Sequence, residues 1–70
     1  MNVQVYKTNI TKKTQAKEVM KIIRKEYQLE EINFDLEDID NILRVVSPED
    51  IGKEIAKSVR NMGYQCEELS

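Results

Sequence analysis

The densest group of side chains that could do chemistry is Asn9-Ile10-Thr11-Lys12-Lys13-Thr14-Gln15-Ala16, where a first strand turns into a first helix. A ligand-binding loop is often placed this way. Its functional groups here are two ammonium ions, one carboxamide and hydroxyls. A charged ammonium has no lone pair to donate, and a carboxamide is a poor ligand for a soft metal. The chain has one cysteine, Cys66, and no histidine, which rules out an internal disulfide and removes the partners a soft-metal site would need. Cys66 is expected to be a buried small hydrophobe. Asp35, Glu37, Asp38 and Asp40 suggest a calcium loop, but counting from Asp38 the fifth and sixth positions are Ile42 and Leu43. An oxygen ligand and a glycine belong there. With no glycine-rich phosphate loop and no Ser/His or Cys/His pairing, nucleophilic catalysis has no candidate. The expectation is a protein that is not an enzyme, with no catalytic residue, no metal ligand and no cofactor.

The elements that must position the loop are legible from periodicity. Val3-Gln4-Val5-Tyr6 reads as a strand of β-branched and aromatic residues. Its alternation slips from Val3 and Val5 to Tyr6 and Ile10, which predicts a bulge near Tyr6–Lys7. Thr11 or Thr14 can cap a helix over 13–27, in which Ala16, Val19, Met20, Ile23 and Tyr27 form one apolar stripe. Met20 and Met62 are expected to be core fillers. Ile32-Asn33-Phe34-Asp35-Leu36-Glu37 alternates strictly, as a half-buried strand does. Residues 38–41 form a turn, and residues 42–46 return as the second strand of a hairpin. Leu43 and Val45 are expected to share the core face with Ile32, Phe34 and Leu36.

Ser47-Pro48-Glu49-Asp50 has the form of a helix start, with Ser47 capping and Asp50 completing a capping box. Ile51, Ile55, Val59 and Met62 follow at near-helical spacing, and Gly63 ends the helix in the left-handed conformation. Residues 64–69 form a last, edge strand. The order β-α-β-β-α-β predicts an α+β, ferredoxin-like sandwich in one domain over residues 1–70. Its four-stranded antiparallel sheet, in the order 4-1-3-2, carries both helices on one face.

In this order and spacing the chain resembles the heavy-metal-associated domains of small copper chaperones and metal-pumping ATPases. Ile10 matches that family's buried hydrophobic residue, Thr11 the residue after it, Ala16 the small residue after the second cysteine, and Val19 the first helical anchor. Residues 32–36 with Leu43 and Val45 resemble its central hairpin, and Gly63-Tyr64 its glycine-aromatic pair. The resemblance covers nearly the whole chain. Where the family carries the two cysteines of its CxxC motif, this chain has Lys12 and Gln15. The metal site is therefore degenerate, and delivery of metal by that route does not carry over.

Charge is segregated along the chain. Residues 1–29 carry seven Lys/Arg against two acids, and residues 30–70 carry four against eleven, within an overall charge of −2. Such segregation can mark a docking face. Nucleic acid is not expected as a partner. The aromatic candidates on a sheet face are Tyr6 and Tyr64, the neighbouring hairpin positions are acidic, and the isoelectric point is about 5.1. No apolar run approaches a membrane span, so a cytoplasmic protein is expected. The expected role is a small non-enzymatic binding module with a protein partner, itself a monomer or weak dimer. It would act through a loop and surface made by Thr11, Lys12, Lys13, Gln15, Lys17 and Tyr64. The alternative is heavy-metal binding or trafficking through a non-standard or intermolecular site, for instance Cys66 on paired edge strands.

Overall fold

The computed structural model describes residues 2–37, 39 and 41–69. Six elements follow one another: β1 (Asn2–Thr8), α1 (Lys13–Glu26), β2 (Glu31–Asp35), β3 (Ile42–Ser47), α2 (Gly52–Asn61) and β4 (Cys66–Glu68). All strand pairs are antiparallel and the sheet order is β2-β3-β1-β4, which from the other edge is the expected 4-1-3-2. The fold is the ferredoxin-like α+β sandwich. Tyr6, Leu43, Val45 and Ile32 from the sheet meet Ala16, Val19 and Ile23 of α1 and Ile55, Ala56 and Val59 of α2 in a single core.

The hairpin forms as its alternation dictates. Ile32, Leu43 and Val45 are buried, with Phe34 and Leu36 packed half-buried against them. The turn acids Asp38 and Asp40 lie outside the described residues, and Asn41 takes a positive φ of 49°, as the short polar side chain of Asn permits.

β1 differs from its expected phase. Its ladder with β3 runs unbroken from Asn2↔Ser47 to Lys7↔Ile42, so there is no bulge near Tyr6–Lys7. Gln4, Tyr6 and Thr8 point inward, and Val3 lies 56% exposed on the open face. Two polar side chains can occupy core positions because each is bonded there. Gln4 Oε1 lies 3.4 Å from the Ser47 hydroxyl, at the long limit of a bond that shares the one Ser47 proton, and the Thr8 hydroxyl donates to the Asn41 carbonyl at 2.7 Å. Tyr6, fully buried, donates to the Gly52 carbonyl at 2.9 Å.

The helix starts also differ. Neither Thr11 nor Thr14 caps α1; Lys12 occupies the cap position in extended conformation with no side-chain bond. α2 begins at Gly52 rather than at Pro48. Ser47 is still within the ladder opposite Asn2, and its hydroxyl donates to the Glu49 carbonyl at 2.6 Å, closing a turn over 47–49. Asp50 then accepts the Gly52 N–H at 3.4 Å, an Asx turn that starts the helix later. A Cβ on Gly52 would meet the end of the exposed Glu68 side chain, which can swing aside, and would press on Gln4 Cγ. At the other end Gly63, with φ of 98°, closes a Schellman turn. Its N–H bonds the Arg60 carbonyl at 3.0 Å, and that of Tyr64 bonds Val59 at 3.4 Å. β4 is shorter than expected and leaves Tyr64 outside the strand.

Candidate functional site

Side-chain bonds tie three loops together at one end of the sheet. Thr8 reaches the β2–β3 turn through Asn41, and its oxygen also accepts the Ile10 N–H at 3.2 Å. Asn9 Oδ1 accepts the Gln65 N–H at 2.8 Å, which joins the β1–α1 loop to the segment between α2 and β4. Ile10 is fully buried. Residues 8–10 are thus pinned on both sides, and the chain after them rises to the surface. Thr11, Lys12, Lys13 and Thr14 are all exposed.

The α1 N-terminus is electropositive for two reasons. Its first N–H groups carry the positive end of the helix dipole. No acid stands in the first turn to offset that, and Lys12 and Lys13 flank it. The Ala16 N–H bonds the Lys12 carbonyl at 3.0 Å, so Lys12 and Gln15 straddle the opening turn. Among the described residues no group of three or more His, Cys, Asp or Glu could hold a metal ion. The remaining thiol, Cys66, is 5% exposed. Burial pushes it up to about 11, with Arg60 opposing and Glu68 adding to the effect.

Of the six residues expected to form one surface, three fall in grooves on the two flanks of α1. Lys13 and Lys17 lie on the β2 side. There they line a groove of about 350 Å³ with Ala16, Met20, Phe34, Asp35, Leu36 and Glu37. Tyr64 lies on the α2 side, half-buried in a smaller cleft of about 260 Å³ with Glu18, Val19, Ile22 and Met62. Thr11, Lys12 and the half-buried Gln15 line neither. Compared with known proteins, this chain matches no family model, no curated sequence and no solved structure.

The β2-side groove is a feature that sequence reasoning missed. Met20, Phe34 and Leu36 read as core positions, and each is only partly buried. They form an apolar floor, with exposed lysines on the helix lip and exposed acids on the strand lip. The signal that could have found it is Phe34-Asp35-Leu36-Glu37, whose alternation runs past the end of a strand at the sheet edge.

The opposite face of the sheet carries no helix. Its described positions are Glu31, Asn33 and Asp35 on β2, Ile42, Arg44 and Val46 on β3, Val3, Val5 and Lys7 on β1, and Glu67 on β4. No aromatic is among them, because Tyr6 points into the core. Among the described residues no helix is long and apolar enough to cross a membrane.

Proposed function

We propose that this chain is a small non-enzymatic binding module, a heavy-metal-associated-like domain whose CxxC ligands have been replaced, and that it acts by contact with a protein. The observation that carries the reading is the α1 N-terminus. The pair of positions that would hold thiols holds Lys12 and Gln15, and the helix opens on lysines at its cap and first position with no acid in the first turn. Such an end repels cations and favours an acidic surface. Lys17 and Lys21 extend it along an exposed side of the helix. Like charges four residues apart cost a helix a few tenths of a kcal/mol per pair, so a face serving only solubility would gain from interleaved acids. The alternative of an intermolecular metal site is weakened by Cys66, whose thiol is buried and held protonated.

The test is affinity capture of a partner, followed by measured affinities of two double variants. Lys12→Glu/Lys13→Glu should weaken binding more than tenfold, with the loss growing as salt falls. Lys53→Glu/Lys57→Glu on α2 should change it little. Equal losses in both pairs, or no loss in the first, refute the reading. Stoichiometric copper or zinc that survives dialysis and is lost on Cys66→Ser would move the assignment to the metal alternative.

A further inference from the structure

The two edges of this sheet are built differently. β4 is three residues long and is packed under α2, with the Arg60 Nε–H bonded to the Cys66 carbonyl at 2.9 Å. β2 is five residues long, and one row of its backbone N–H and C=O groups faces away from β3. Beside the Phe34–Asp35 end of that row and the residues that follow it, on the helix side, lies the groove floored by Met20, Phe34 and Leu36. An unpaired strand edge next to an apolar trough has what strand addition requires. Main-chain bonds supply affinity, and a recess takes every second side chain.

The geometry points to β2 as the docking edge for an extended segment of another protein, added as a fifth strand. This deepens, and rests on, the reading of the domain as a protein-binding module. The charges specify the segment's chemistry face by face. Side chains entering the trough would meet Ala16, Met20 and Phe34, and those reaching across to its helix lip would meet Lys13 and Lys17, opposite the acids of the strand lip. Those positions call for apolar residues with an acid among them. Side chains on the open face would lie beside Glu31 and Asp35, both exposed, and call for Lys or Arg. The partner is therefore a strand with one face apolar and acidic and the other basic.

The same charges argue against a second copy as the occupant. Antiparallel pairing of β2 with itself, centred on Asn33, sets Glu31 against Asp35 twice. Centred on Phe34, it sets Glu31 against Glu37 twice. Like charges directly opposite one another disfavour a ladder.

The experiment is selection from a displayed library of random twelve-residue peptides, followed by synthesis of the enriched peptides. Amide hydrogen exchange would then locate the bound peptide on the protein. The expected peptides alternate apolar or acidic residues with Lys or Arg, and they slow exchange in residues 31–35. Lys17→Glu should weaken them by about tenfold. Selection against Glu31→Lys/Asp35→Lys should return acids in place of the basic set. The proposal is overturned by peptides that protect α2 or the β1–α1 loop and leave 31–35 unprotected. It is equally overturned by unchanged charge preference in the double variant, or by no enrichment over bare support. Sedimentation showing a dimer held through β2 would give the edge to a second copy and also overturn it. None of these variants alters Lys12 or Lys13. The capture experiment above therefore judges the binding-module reading separately.

Discussion

Replacing Tyr6 by Phe isolates one buried hydrogen bond at the junction of β1 and α2. The Tyr6 hydroxyl donates to the Gly52 carbonyl at 2.9 Å, and its ring is fully buried. Phe keeps the ring and removes only the donor. As the first residue of α2, Gly52 can still offer its carbonyl to the helix, so it is not wholly unsatisfied. The cost should be near the middle of the range for a net hydrogen bond, about 1 kcal/mol. For a domain of this size that lowers Tm by roughly 4–8 °C. The pH dependence gives a second handle. Burial, and after it the nearby Glu68, raises the Tyr6 hydroxyl well above its ordinary value of 10. The unfolded chain then ionises at a lower pH than the folded one. The stabilisation is complete below pH 10 and is lost as pH rises through the folded value. Thermal melts followed by far-ultraviolet circular dichroism should show wild type above Tyr6→Phe at pH 7. The gap should narrow as pH passes 10. Equal melting at pH 7, or a gap that stays constant to pH 11, would refute the assignment of Tyr6 as a neutral, bonded core group.

Three further outcomes follow from other parts of the molecule. Asp35→Lys should promote self-association through β2, because antiparallel pairing would then set the introduced lysine against Glu31 twice. Two pairs reversed from repulsion to attraction amount to on the order of 1–3 kcal/mol, or roughly 5- to 150-fold in dimer affinity, readable by sedimentation equilibrium. Adding Glu31→Lys should restore the monomer. Gly63→Ala should destabilise by about 1–2 kcal/mol in chemical denaturation. A Cβ there meets nothing within 4 Å, so the whole cost is the φ of 98°. Lys12→Cys with Gln15→Cys should fold and gain a copper(I) site, measured by competition with a chromophoric chelator. Binding no tighter than wild type would show that these positions do not present side chains to one ion.

What could be read in the sequence was whatever is decided locally. The hairpin followed from strict alternation over residues 32–37, the inner face of α1 from its three- and four-residue spacings, and the end of α2 from Gly63. The phase of β1 was not local. Val3 and Val5 look like core residues, and they lie outward because Gln4 and Thr8 find partners in Ser47 and Asn41, more than thirty positions away. The start of α2 failed for a related reason. Ser47-Pro48-Glu49-Asp50 has the composition of a capping box, but Ser47 remains in a ladder whose other strand is the N-terminal one. The groove was hidden because Met20 and Phe34 are apolar at core-like spacing. Their half exposure arises only from the placement of β2 at the sheet edge, with α1 set inside it.

The shortness of β4 has a kinetic consequence. This strand meets β1 at Tyr6, Lys7 and Thr8, with one more bond from the Leu69 N–H to the Val5 carbonyl at 2.8 Å. So few bonds can open without global unfolding, at a free energy well below that of the whole domain. Each opening uncovers Cys66, so the rate at which a slow alkylating reagent modifies this thiol reports the fraction of molecules open. It also turns β1 from an inner strand into an edge along Tyr6–Thr8, with β3 still on its other side. At high concentration the vacancy can be filled by the last strand of another molecule. The segment Tyr64–Gln65 would serve as the hinge of a strand-exchanged dimer.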